Sequence, residues 1–201
     1  FWDQVMHAVS GRLLWVPLYL TILIIIGIKY KRKFLIILLF IILAVALADQ
    51  TSVLIKNFVQ RLRPCHEPSL EGLVHIVHGE CGVQFSFVSS HAANSFNVVL
   101  LSLLFIRNRW FTTGIIIWAI VVGYSRIYLG VHYPGDVICG SILGALIGWS
   151  VYRLFLLSDE KLLKKRKFFT VRTRCPALSA LKRLAILPTR KTSKRIDFHF
   201  Y

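Results

Sequence analysis

Acidic residues are scarce in this chain of 201 residues: 9 Asp and Glu stand against 25 Lys and Arg, a formal net charge of +16. Such an excess suits nucleic acid or anionic lipid headgroups. The chain carries neither a nucleic-acid-binding motif nor a run of stacking aromatics, so lipid is the simpler partner. Cysteine is also scarce, at four residues, and its spacing with histidine matches none of the usual structural zinc patterns. Polar connecting sequence is scarcer still. One long polar stretch, 57–90, interrupts a chain that is 56% hydrophobic with a mean hydropathy of +0.63, which excludes an ordinary soluble domain. The chain opens on Phe1 rather than Met, so a segment upstream of it is expected.

What is abundant is long apolar sequence. Leu13 to Ile28, Phe34 to Ile55, His91 to Ile106, Trp110 to Tyr124 and Pro134 to Leu157 each read as a membrane-crossing helix, preceded by an interfacial lead-in from Phe1 to Arg12. The clearest, Phe34 to Ile55, has 22 residues and a single carboxylate, Asp49; at about 1.5 Å per residue it covers about 33 Å, enough for the hydrocarbon core. The expected fold is therefore all-α, a polytopic membrane bundle of about five spans over 1–158, followed by a basic tail at 159–201. The tail holds a net charge of +10 and the rest +6. Basic segments at 29–33, 107–109 and 161–167 fall on one side of such a bundle. The positive-inside rule makes that side cytoplasmic and turns the long loop outward. Gly140, Gly144 and Gly148, at spacing four, predict a smooth face for a close helix contact.

Three polar segments then converge on the outward side. Lys56 and Arg63 would lie two turns apart on one face if the helix continued, two cations suited to an anion larger than a carboxylate; snorkelling cations at a helix end are the alternative. Ser89 and Ser90 precede an apolar helix, as N-caps do, and the exposed N–H groups of such an end form a phosphate cradle beside His91. A capping or interface histidine is the plainer reading of His91. The third segment, Ser125 to Asp136, supplies Arg126, His132 and Asp136: a phosphate clamp, a titratable nitrogen and a carboxylate that can hold the imidazole's tautomer. Ionisable residues at a membrane mouth are a functional hypothesis by default.

Together, Lys-x6-Arg-Pro, Ser-x-His and Ser-Arg-x5-His-x3-Asp resemble the three-part signature of the type 2 phosphatidic acid phosphatase superfamily, matched from Lys56 to Asp136. The middle part departs, since Val88-Ser89-Ser90-His91 stands where the family usually has Pro-Ser-Gly-His. The added side chain at Ser90 is expected to narrow the phosphate pocket. The family more often has six spans, which again points to a helix upstream of Phe1. The resemblance implies cofactor-free, metal-free hydrolysis of a lipid phosphate through a phosphohistidine. His132 would be the nucleophile, Asp136 its orienting group and His91 the acid and base. Lys56, Arg63, Arg126, Ser89 and Ser90 would hold the phosphate. The short loops are similar to those of bacterial members, which act on undecaprenyl diphosphate, phosphatidylglycerol phosphate, phosphatidic acid or lipid A phosphates. That places the chain in a bacterial plasma membrane with its site facing the periplasm. A vanadate-dependent haloperoxidase shares the signature but is soluble; a non-catalytic lipid binder has no need of a nucleophile.

Asp49, seven residues before Lys56, reads as a structural partner for a cation or a neighbouring helix. Cys65 and Cys81 share the outward loop and would form a disulfide on an oxidising face, tying a flap over the site. Cys139 reads as a packing residue and Cys175 as a reduced tail cysteine.

Overall fold

The computed structural model describes residues 1–172 except Arg12, His78 and Glu80, with 160–172 described as backbone alone. Cys175, the rest of the tail from 173 and the side chains of the basic 161–167 segment lie outside the described residues. The chain divides into two compact units, Phe1–Leu157 and Ser158–Tyr201.

Six α-helices are described: α1 (Trp2–Ser10), α2 (Val16–Tyr30), α3 (Phe34–Val59), α4 (Ser90–Ile106), α5 (Arg109–Tyr128) and α6 (Pro134–Arg172). Among the described residues there is no strand, and a single antiparallel bridge joins Leu62 to Phe85. Leu13–Val59, Arg109–Tyr128 and Pro134–Asp159 are long and apolar enough to cross a membrane, while Ser90–Ile106 is apolar but shorter. The first of these folds back at Lys31, whose φ of 40° breaks the helix, so it supplies both α2 and α3. This is a multi-pass membrane protein. Its outer surface is apolar, with Ile24, Leu39, Leu54, Ile138 and Leu146 exposed, as lipid-facing positions should be.

Side-chain bonds show which helix ends meet. Lys29 Nζ donates to the Ile106 carbonyl at 2.8 Å, Tyr30 to the Phe105 carbonyl at 2.9 Å, and Arg107 to the Tyr152 hydroxyl at 3.3 Å. One end of the bundle therefore gathers the Lys31–Lys33 turn and the α4–α5 turn. There the ring of Phe105 packs edge-on against Tyr30, Tyr152 and Phe155 at 5.8, 5.1 and 5.3 Å.

Hydrocarbon is as apolar as leucine, so burial alone does not drive these helices together; close packing does. The three glycines of α6 meet α4 directly. A β-carbon at Gly140 would stand 2.5 Å from the Ser89 carbonyl oxygen, and one at Gly148 would stand 2.8 Å from Asn97 Oδ1. At Gly144 it would overlap the Ala93 carbonyl. The close contact expected from the glycine spacing is thus a contact of α6 with the helix that carries His91.

Candidate active site

The opposite end of the bundle assembles the three polar segments. Lys56, in the last turn of α3, is buried, and its Nζ donates to Ser90 Oγ at 2.5 Å. The expectation that Lys56 and Arg63 share a helix face does not hold. α3 stops at Val59 because Gln60 turns left-handed (φ 51°), and Arg63, preceding Pro64, is extended (φ −71°, ψ 154°), the conformation a following proline favours. Arg63 instead enters a short ladder. Its N–H donates to the Gln84 carbonyl at 3.1 Å, and the Ser86 N–H donates to the Arg61 carbonyl at 2.8 Å. These bonds close the base of the loop. The Arg63 guanidinium donates to the carbonyls of Cys81 (2.8 Å) and Phe85 (3.4 Å); burial pulls its pKa below the ordinary value, against the opposing charge of Asp136.

Ser89 caps α4, its Oγ accepting from the Ala92 N–H at 3.4 Å. Its own N–H donates to the Asp136 carbonyl at 3.0 Å, which ties the start of α4 to the start of α6. Ser90 stands where the resembled family has glycine, and its hydroxyl meets the Lys56 ammonium. His91 follows in the first turn of α4.

The link between α5 and α6 turns tightly, with the N–H groups of Val131 and His132 both donating to the Arg126 carbonyl at 3.3 and 3.2 Å. Gly130 makes this possible. Its φ of 69° is left-handed, and a β-carbon there would lie 2.7 Å from the His75 carbonyl, so the loop packs directly on this turn. His132 is 2% exposed and Asp136 fully buried, with 3.6 Å between His132 Nδ1 and Asp136 Oδ2. That is a few tenths of an ångström beyond a hydrogen bond. Asp136 instead accepts from the Tyr133 N–H at 3.0 Å and from Arg61 Nη1 at 3.1 Å. Burial pushes the His132 pKa down to about 4; Arg63, Arg126 and Lys56 act in the same direction and Asp136 opposes them. The imidazole is therefore neutral at neutral pH, the form that has a nucleophilic lone pair.

Two cavities adjoin this cluster. One of about 640 Å³ runs between α2, α3, α4 and α5, and His91 and Ser90 stand at its polar end. The other, about 260 Å³, is lined by Arg63, Arg126, His7 and the loop residues Val77, Cys81 and Gly82. Ser10 and Gly11, at the end of α1, belong to both walls.

The sequence-expected residues Lys56, Arg63, Ser89, Ser90, His91, Arg126, His132 and Asp136 thus gather at one end of the bundle. Two contributions were missed. Arg61 reaches Asp136 and lies over the Tyr133 ring with its guanidinium carbon 3.9 Å from the centroid. The lead-in forms α1, whose Ser10 hydroxyl accepts from Arg126 and whose Asp3 accepts from Tyr128 at 2.8 Å and from His75 at 2.9 Å. The bond from His75, then that from Tyr128, holds the Asp3 carboxyl below its ordinary value. Asp3 and Arg61 stood in the sequence as isolated charges, and no spacing rule pointed to either.

Cys65 and Cys81 are brought together with their sulfurs linked and their Cα atoms 6.0 Å apart. His66 lies beside them, and the three side chains' ligand atoms fall within 4.8 Å of one another. Sulfurs joined to each other are not thiolates, so this grouping has lost its metal-binding form.

Comparison with known proteins agrees with this geometry. Over 155 residues the chain is 41% identical to a lipid A 4'-phosphatase of Bacteroides thetaiotaomicron, covering 76% of this chain and 69% of that protein. It is 33% identical over 163 residues to a lipid A 4'-phosphatase of Porphyromonas gingivalis, covering 79% and 68%. A crystal structure of a transmembrane PAP2 type phosphatidylglycerolphosphate phosphatase from Bacillus subtilis superposes with a TM-score of 0.58 at 25% identity, over 79% of this chain and 77% of that one. The model of the PAP2 superfamily matches residues 33–159, a stretch that contains all three polar segments, and the chain belongs to that superfamily.

Proposed function

We propose that this membrane phosphatase hydrolyses a lipid phosphate through a phosphohistidine formed on His132. The observation that carries the reading is the position of a buried His132 beside Asp136, near enough to Arg63, Arg126 and Lys56 for their charges to act on it. Nδ1 faces Asp136, so Nε2 is the attacking nitrogen. As the N–P bond forms, the ester P–O bond breaks, and the leaving oxygen takes a proton from His91. Water then attacks the phosphohistidine, His91 accepts its proton, and the P–N bond breaks to release inorganic phosphate. Asp136 closes the few tenths of an ångström to Nδ1 as positive charge develops on the ring. Catalytic hydrogen bonds are often long before substrate binds. The three cations and the N–H groups at the start of α4 hold the phosphoryl oxygens, since phosphoryl transfer is mostly positioning and charge stabilisation.

The two cavities divide the substrate. His91 borders the larger, apolar one, which suits the leaving lipid. Arg63 and Arg126 border the smaller, which suits the phosphate and its exit to water. The relatives' substrates, lipid A phosphates among them, define the class to test. The site faces the periplasm of a bacterial inner membrane, because the turn with Lys31, Arg32 and Lys33 lies at the other end.

The test is phosphate release by the detergent-solubilised protein from a panel of lipid phosphates, combined with an alkaline quench that preserves phosphohistidine. Wild type is expected to release phosphate and to yield a labelled histidine. His132→Ala should do neither while keeping its thermal unfolding profile. Full turnover by His132→Ala removes the mechanism.

A further inference from the structure

Of the cations near His132, Lys56 sits on α3 and Arg126 on α5, but Arg63 lies past the end of α3 in extended chain. Its guanidinium is therefore placed by what surrounds it and not by a helix. Nη1 donates to the Cys81 carbonyl at 2.8 Å, and Nε donates to the Phe85 carbonyl at a longer 3.4 Å. The rest of the arginine fork is left for phosphoryl oxygens. Gly82 lies close against the same group. Its φ of 71° is left-handed, and a β-carbon there would stand 3.2 Å from Arg63 Nη1. The backbone of Cys81 and Gly82 is thus a saddle on which the guanidinium rests, and both residues border the smaller cavity with Arg63 and Arg126.

What fixes Cys81 itself is covalent. The ladder that closes the loop base reaches Gln84 and Ser86 and leaves Cys81 outside it, and the contact from His66 Nε2 to the Gly82 carbonyl is long, at 3.4 Å. Cys81 is joined instead to Cys65, and Cys65 packs against the buried cluster of Val77, Leu129 and Val131. Leu129 and Val131 belong to the α5–α6 turn, whose next residue is His132. A continuous line of contacts therefore runs from the turn that carries His132, through Cys65 and the disulfide, to the carbonyl that aims Arg63. Resting on the phosphatase reading above, we infer that the Cys65–Cys81 bond positions Arg63 against the nucleophile, so that phosphate is held at full strength only when the bond is closed. The bond closes when the two thiols exchange with a more oxidising disulfide, which takes up their two electrons and two protons and leaves as two thiols. Cys65, Cys81 and Gly82 are positioning residues that act through Arg63. Opening the bond frees the Cys81 carbonyl to move, and a hydrogen bond from a charged group decides about a ten-fold difference in affinity.

The experiment reads anion affinity and turnover separately. Tungstate, a tetrahedral stand-in for phosphate, is titrated calorimetrically into the detergent-solubilised protein, and kcat and KM are measured on the lipid phosphate that wild type hydrolyses best. Oxidised wild type is compared with Cys65→Ser/Cys81→Ser and with wild type treated with a water-soluble phosphine, which splits the bond into two thiols as it takes up oxygen from water. Both opened forms should bind tungstate about ten-fold more weakly, with kcat/KM lower by about the same factor and helicity intact by circular dichroism. Reoxidation should restore wild type, and phosphine should leave the double serine variant unchanged, which excludes Cys139 and Cys175 as its targets. Gly82→Ala, with the bond closed, should weaken tungstate binding in the same way by pressing on Arg63 Nη1. Unchanged tungstate affinity in the opened forms, with only a lower Tm, makes the bond merely structural and overturns the inference. A fall in kcat at unchanged tungstate affinity does the same, and so does the absence of tungstate binding in wild type. Should both opened forms lose helicity, Gly82→Ala decides, and wild-type affinity there overturns the inference. Wild type that binds tungstate but hydrolyses no lipid phosphate refutes the phosphatase reading, while the comparison of tungstate affinities still decides whether the bond sets Arg63.

Discussion

Replacing Gly144 by alanine should damage catalysis from a distance. Gly144 lies eight residues beyond Asp136 on α6, about 12 Å along the axis, and touches none of the polar cluster. A β-carbon there would stand 2.7 Å from the Ala93 carbonyl carbon and 2.9 Å from its Cα, with the carbonyl oxygen closer still. Comfortable contact is about 3.5–4.0 Å, so α6 must retreat from α4 by about 1 Å. Both partners are backbone, and no rotamer change relieves the clash. Overpacking of this kind costs about 1–3 kcal/mol. The shift also separates His132 and Asp136 on one side from Ser89 and His91 on the other, starting with the 3.0 Å bond from Ser89 N to the Asp136 carbonyl. A misplacement of about 1 Å lowers rates by about a hundred-fold. The assay is kcat and KM on the best lipid phosphate, alongside thermal unfolding in detergent. Gly114→Ala, where a β-carbon meets nothing within 4 Å, is the control and should match wild type. Wild-type kcat and stability in Gly144→Ala would refute the claim that glycine-mediated contact sets the catalytic geometry.

Arg61→Met removes a half-exposed partner of Asp136. Discounted for solvent, such a bond contributes about 1.4 kcal/mol, so kcat should fall about ten-fold with KM little changed; a rise in KM alone would make Arg61 a binding residue instead. Mass spectrometry of unreduced peptides should show Cys65 linked to Cys81 and Cys139 unlinked, and a bond closing a loop of this length stabilises by about 3 kcal/mol. Two free, alkylatable thiols would count against both the bond and the outward orientation. Because burial lowers the His132 pKa from 6.5 to about 4, the unfolded chain binds more protons between those values. Stability is then full above about pH 6.5 and is lost as pH falls through about 4, by at most about 3 kcal/mol. His132→Gln should flatten the dependence of Tm on pH across this window, and an unchanged slope would contradict the burial argument.

The five spans were legible in the sequence because hydrocarbon imposes a length and a composition that no folding context overrides. Spacing also grouped Arg126, His132 and Asp136, since within one tight turn the distance along the chain fixes the distance in space, whereas His91 stood out only through the family resemblance. Arg63 shared a face with Lys56 only on the condition that the helix continued, and local backbone preference ends it at Val59. What lies between elements was not readable at all. That Arg61 joins the Tyr133 N–H in holding Asp136, that Ser90 meets Lys56, and that the lead-in brings Ser10 to Arg126 each depend on contacts across 34 to 116 residues of chain. The glycines of α6 show the division most plainly. Their spacing announced a smooth face, but only the packed bundle decided that the face presses on α4 and so sets how far His132 stands from His91.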